Sequence, residues 1–131
     1  MKNHQSFLVI VGLVVGTLNM PGSAQAGAVT VDCSFTSSAT PKGFQKEAKP
    51  FELKFLMDTT SRKAYSMGNN GSNEVMLLPG GTNGYTLVEV TGANNVMVTA
   101  IAVSGEAVHS RNTLVNKTVV PTQFYGNCAR K

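Results

Sequence analysis

The residues best suited to chemistry lie together in residues 107–113 of the chain. This run holds His109, which is the only histidine after residue 26, followed by Ser110 and Arg111. Side chains alternate along a β-strand, so His109 and Arg111 share one face and Ser110 points to the other. A guanidinium group binds carboxylate or phosphate bidentately, and an imidazole can donate a hydrogen bond beside it. We therefore predict that His109 and Arg111 bind an anionic ligand or partner.

Other interpretations of this pair are open. The alternation makes a His109–Ser110 catalytic dyad geometrically poor, and the chain has no Gly-x-Ser-x-Gly motif. A hydrolase using His109 would need an acidic or hydroxyl partner supplied by the fold. Alternatively, the two residues are simply exposed, or Arg111 forms an ion pair with Glu89 or Glu106. A single histidine and scattered carboxylates lack metal-ligand spacing, so we predict no metal, no cofactor and no enzymatic activity.

The N-terminal residues indicate export. Lys2 precedes an apolar run at 7–18, and Ala24 and Ala26 form an A-x-A cleavage pattern. The run is shorter than the roughly 20 residues that cross a membrane as a helix. We therefore predict a cleaved signal peptide at 1–26, a periplasmic or secreted protein, and no transmembrane segment after cleavage. An uncleaved N-terminal anchor is the alternative.

Residues 27–131 are enough for a single domain with one modest core. Lys2 is the only charged residue before position 27, so this part has ten basic and seven acidic residues and a net charge of +3. Such a mild excess is not a nucleic-acid signature, and we predict no nucleic-acid partner. Three lysines lie close together at Lys42, Lys46 and Lys49. Their partner would be an anionic envelope surface, unless they are ordinary solvated loop charges.

The two cysteines, Cys33 and Cys128, lie near the two ends of residues 27–131. An even cysteine count in an oxidising compartment predicts a disulfide between them. The chain has no Cys-x-x-Cys pair, which disfavours a redox role.

The remaining pattern predicts an all-β fold. Apolar and polar residues alternate in 29–36 and 51–58, as in strands with one buried face. Glycine- and asparagine-rich turns separate the segments and predict antiparallel hairpins. The lysine-rich stretch 41–50, bounded by prolines, is predicted to be a loop. Further predicted strands are 64–67, 74–78, 85–90, 96–103, 106–112 and 118–125.

About eight short strands favour a small antiparallel meander barrel, or a strongly curled sheet, closed by the disulfide. The bulky residues Phe51, Leu53, Phe55 and Met57 share one face of their strand. If that face points inward, it fills a barrel of this size. A hollow barrel would instead suit a carrier of a small apolar ligand.

Two resemblances bear on function. Ala-Val-His-Ser-Arg at 107–111 and Pro-x-Gln-x-Tyr-Gly-x-Cys at 121–128 resemble the C-terminal part of small exported bacterial proteins of uncharacterised function. In size, export, disulfide and barrel architecture the chain is also similar to periplasmic inhibitors of C-type lysozyme. Where their inhibitory loop carries a serine-glycine pair and a downstream tyrosine, this chain has a different sequence at 63–68, so no inhibitory residue is carried over.

These observations together predict an exported, non-enzymatic binding module of the bacterial envelope, similar to an inhibitor, which recognises an envelope or extracellular protein or an anionic ligand. The two alternatives are a carrier holding a small apolar ligand inside the barrel and a small hydrolase using His109.

Overall fold

The computed structural model describes residues 27–69 and 71–131. The predicted signal peptide at 1–26 lies outside these residues. Eight strands follow one another along the chain, each antiparallel to the next, and the last pairs with the first to close a barrel. The fold class predicted from the sequence is confirmed, with the barrel closed rather than left as a curled sheet. The strands are β1 (Val29–Thr40), β2 (Gly43–Asp58), β3 (Lys63–Gly68), β4 (Gly71–Pro79), β5 (Gly84–Val90), β6 (Val96–Ala102), β7 (Glu106–Val115) and β8 (Thr118–Arg130).

The core fills the barrel interior with side chains from every strand. On β2, Phe55 and Met57 are buried, and Phe51 and Leu53 pack against them partly buried. The predicted inward face of this strand is therefore confirmed. Small eight-stranded barrels have an interior just wide enough for such side chains to fill. The buried hydrophobic residues are Val31, Cys33, Phe35, Phe55, Met57, Ala64, Val75, Leu77, Leu87, Ile101, Ala107, Phe124 and Cys128.

The disulfide lies where the barrel closes. Cys33 on β1 stands directly opposite Cys128 on β8, and the two are bonded across a sequence separation of 95 residues. The predicted bridge between the first and last strands is confirmed. It fixes the one strand pairing that brings together distant parts of the chain.

The prediction of a loop at 41–50 is wrong. Only Pro41 and Lys42 form the turn, and β2 already begins at Gly43. The irregular part comes later, because the register jumps from Ser37 opposite Lys46 to Phe35 opposite Phe51. Residues 47–50 therefore face a single residue of β1. A proline is tolerated at such a bulge because no ladder hydrogen bond is required of it.

The barrel has two different ends. The turns β1–β2, β3–β4, β5–β6 and β7–β8 lie at one end, which we call the hairpin end. Residues 27 and 131 and the other three connections lie at the opposite end, which we call the terminal end. At the hairpin end β7 pairs with β6 only as far as Arg111, so residues 112–122 project as a hairpin whose strands pair with each other. Within the described ranges, no helix has the length and apolarity required to span a membrane.

Candidate functional site

His109 and Arg111 both lie on the interior face of β7. Burial alternates along this strand, with Ala107 and His109 buried and Arg111 half-buried. The register places Thr99 of β6 and Phe124 of β8 on either side of His109. Arg111 is one inward position closer to the hairpin end. The structure thus keeps the predicted pair on one face and turns that face inward, where exposed strand residues were the alternative.

His109 lies in an aromatic environment. Its imidazole is only 2% exposed, and its ring centroid is 5.9 Å from Phe35, 5.6 Å from Phe51 and 6.1 Å from Phe124. The Nδ1 atom is 2.8 Å from the hydroxyl oxygen of Thr99. The Nε2 atom is buried and has no hydrogen-bond partner among the described residues. A buried polar atom without a partner is costly, and such atoms are rare.

The environment keeps His109 uncharged at neutral pH. Burial, and to a lesser extent the positive charge of Arg111, lower the pKa of the imidazole to about 4. A neutral imidazole carries one proton. If the Thr99 hydroxyl donates to Nδ1, the unpaired Nε2 is an N–H donor. If Nδ1 donates to Thr99, Nε2 is an unpaired acceptor.

Arg111 is held by aromatic rings. Its Cζ atom lies 4.7 Å from the ring centroid of Phe124 and 5.4 Å from that of Phe51, within the range of cation–π attraction. The ion pairs found among the described residues join Asp32 to Lys54 and Lys131 at the terminal end. The predicted alternative of an ion pair between Arg111 and Glu89 or Glu106 is therefore not found there.

Two carboxylates towards the hairpin end have neutral partners. Glu47 accepts a hydrogen bond from the buried hydroxyl of Ser38, and Glu89 accepts one from the amide of Asn73 at 3.4 Å. Neither forms an ion pair with Arg111. The half-buried guanidinium thus lies over two aromatic rings and forms no ion pair with a carboxylate of the described residues.

The same arrangement is poorly suited to proton transfer. Thr99 and His109 form a hydroxyl–imidazole pair, but both are buried, at 3% and 2% exposure. A histidine with a pKa of about 4 is a weak general base at neutral pH. No carboxylate among its described hydrogen-bond partners orients the imidazole, as a catalytic triad would require. The described residues also contain no group of three or more His, Cys, Asp or Glu side chains suited to a metal ion.

Sequence reasoning found His109 and Arg111 but missed the residues that surround them. Thr99, Phe35 and Phe124 were not predicted as parts of this site. The turn at Ser104–Gly105 could have indicated Thr99, because a hairpin centred on Ser104 sets Thr99 opposite His109. Phe35 and Phe124 come from the strands that close the barrel, so local turn chemistry gives no signal for them.

Comparison with protein-family models, with curated proteins and with solved structures found no match to this chain. The two resemblances noted from the sequence therefore stay predictions.

Proposed function

We propose that this protein is an exported, non-enzymatic binding module of the bacterial envelope that recognises an anionic group on a protein or a small ligand. Arg111 contacts the anion, and His109 lies beside it as a neutral hydrogen-bonding group. One observation carries the proposal: the Arg111 guanidinium is stacked on Phe51 and Phe124 without a carboxylate partner among the described residues.

The chemistry of a stacked guanidinium supports this function. When an aromatic ring contacts the face of a guanidinium, the N–H donors in the guanidinium plane stay available for a carboxylate or phosphate. The rings also displace water, which strengthens an electrostatic contact in the same place. Because the rings belong to β2 and β8 on the barrel wall, the geometry of Arg111 is fixed before any anion arrives.

The pKa of His109 should report whether an anion is bound at Arg111. A negative charge near the imidazole favours its protonated form, so binding of an anion at Arg111 raises the pKa of His109 from about 4. When the Thr99 hydroxyl donates to Nδ1, the unpartnered Nε2 is an N–H donor, and this tautomer suits a bound anion.

Export and a binding role fit the other features. A disulfide across the barrel seam suits an oxidising compartment. The filled interior leaves less room for a carrier function, and the low basicity of His109 disfavours a hydrolase.

The test is a titration of the oxidised 27–131 protein with sodium phosphate and with sodium acetate at constant ionic strength, followed by nuclear magnetic resonance. We expect the Arg111 side-chain N–H signal to shift saturably while the Arg130 signal does not. Arg130 is a matched reference because its Cζ atom also lies over an aromatic ring, 5.2 Å from the centroid of Tyr85, at the terminal end.

Two variants complete the experiment. Arg111→Lys keeps the charge but loses the planar fork, so the anion-dependent shift of the His109 signals should disappear. Arg130→Lys should leave it unchanged. Equal shifts at both arginines, or a linear response without saturation, would show general ionic effects and contradict the assignment of Arg111.

A further inference from the structure

The positive charge of the domain is concentrated at the hairpin end. Two segments project there: residues 40–50 around the β1–β2 turn and residues 112–122 around the β7–β8 turn, which we call the two prongs. They contain Lys42, Lys46, Lys49 and Lys117 against the single acid Glu47. The rest of residues 27–131 has six basic and six acidic residues. The whole net charge of +3 therefore lies on the prongs.

The second prong is also apolar where it is exposed. Four aliphatic side chains within seven residues of this hairpin are between 42% and 64% exposed. Phe44 on the first prong is more exposed still, at 67%. The second prong is held to the β5–β6 turn, because the backbone N–H of Leu114 donates to the side-chain oxygen of Asn95 at 3.0 Å. The four aliphatic residues are Leu114, Val115, Val119 and Val120.

These aliphatic side chains lie on both faces of the hairpin. Leu114 pairs with Val119 on one face, whereas Val115 and Val120 belong to pairs on the other. A groove on a protein partner covers one face of a hairpin. An apolar medium that surrounds the tip covers both faces, and lysines beside such a tip suit an anionic interface.

We infer that the hairpin end of the barrel docks on an anionic lipid surface, with the tip of the second prong immersed among the headgroups. Lys117 lies at that tip and the three lysines of the first prong lie beside it. The long aliphatic stem of a lysine allows its ammonium group to reach the headgroups while the neighbouring valines stay below them. This inference does not rest on the anion site at Arg111, because Arg111 belongs to neither prong.

The test is flotation of the oxidised 27–131 protein with vesicles. One set contains phosphatidylcholine alone, and the other contains equal parts of phosphatidylcholine and phosphatidylglycerol. We expect binding to the anionic vesicles only, weakened by added salt because salt screens exposed charges. The Leu114→Ser/Val119→Ser variant should bind about tenfold more weakly or worse. Replacing Lys42 or Lys46 by Gln should weaken binding about fivefold each.

Matched variants at the terminal end serve as controls. Val103→Ser removes an aliphatic side chain that is 78% exposed in the β6–β7 turn, and Lys63→Gln removes an exposed lysine of β3. Both should bind vesicles as the unaltered protein does, and circular dichroism should confirm that all variants fold. Arg111→Lys should also bind normally, which separates this inference from the proposed anion site.

Two results would overturn the inference. The first is a failure of the unaltered protein to float with anionic vesicles, or equal flotation by the prong and control variants. The second is that the unaltered protein binds polyglutamate but not vesicles, and that the prong variants lose this binding to polyglutamate. That result would assign the prongs to an acidic protein partner instead.

Discussion

The two ends of the barrel place the same kind of contact in different surroundings. Each holds an arginine over aromatic side chains, Arg130 over Tyr85 at the terminal end and Arg111 over Phe51 and Phe124 at the hairpin end. Arg130 is exposed and lines an open recess of about 320 Å³. Arg111 is half-buried and lies next to an imidazole with an unpartnered nitrogen.

The charges around them differ as well. At the terminal end Asp32 pairs with Lys131 and Lys54, and the hydrogen bond from Lys131 is the main reason that the pKa of Asp32 is lowered. At the hairpin end the two prongs carry four lysines and only one glutamate. The disulfide also lies closer to the terminal end. The ion pairs of Asp32 and the disulfide therefore lie towards one end of the barrel, and cationic groups without an ion-pair partner among the described residues lie at the other.

Removing the disulfide should have the largest effect. The Cys33→Ala/Cys128→Ala variant should have a free energy of unfolding lower by about 4 to 5 kcal/mol, because the bridge closes a loop of 95 residues in the unfolded chain. Urea denaturation measures the change. Amide exchange should quicken first where β1 pairs with β8, and less in the β5–β6 pair.

The same protein under reducing conditions is the control, and it should match the double variant. If the free energy of unfolding falls by less than about 1 kcal/mol, the non-covalent pairing of β1 with β8 is enough to keep the barrel closed. The disulfide is then not the main source of stability at the terminal end.

The second-largest effect should be a loss of stability in acid, caused by His109. The pKa of His109 is lowered from its ordinary value of 6.5 to about 4 in the fold, so between these values the unfolded state binds a proton that the folded state does not. Stability therefore falls as the pH falls from 6.5 to about 4, by about 3 kcal/mol in total. Urea unfolding across this window measures the slope.

The His109→Gln variant isolates this effect, because it retains a polar group but does not titrate. Its stability should change less than that of the unaltered protein across the same window. Parallel curves for the two proteins would mean that His109 titrates normally and that the hairpin-end interior is hydrated. Saturating phosphate should also shift the unaltered protein's curve if the anion binds near the imidazole.

Most of the fold could be predicted from the sequence because the barrel repeats one local rule. The two-residue alternation at 29–36 and 51–58 and the turn residues between strands are local signals, and each fixes the next antiparallel pair. The closure by Cys33 and Cys128 followed from the cysteine count. The stretch 41–50 was mistaken for a loop because its prolines mark a turn and a bulge within an otherwise continuous hairpin.

The site could be predicted only in part. Alternation places His109 and Arg111 on one face, but it does not say whether that face is inside the barrel. The stacking of Arg111 depends on Phe51 and Phe124, which come from β2 and β8 and meet only when the barrel closes. The unpartnered Nε2 of His109 depends on every residue that surrounds it, so no sequence pattern predicts it.

The smallest expected effect lies at the tip of the second prong. Asn116 and Lys117 both have positive φ, 48° and 65°, as a tight β-hairpin turn requires. Asparagine tolerates this conformation, lysine adopts it at an energetic cost, and glycine adopts it freely. Lys117→Gly should therefore raise the free energy of unfolding by about 1 kcal/mol, and Asn116→Gly by less. If Lys117→Gly stabilises the domain and weakens vesicle binding, the lysine is maintained against a local conformational preference, which is expected of a residue with a binding role. If it stabilises the domain and leaves vesicle binding unchanged, the charge of Lys117 does not contribute to lipid binding. The excess of positive charge that distinguishes the hairpin end in binding then comes from the lysines of the first prong alone.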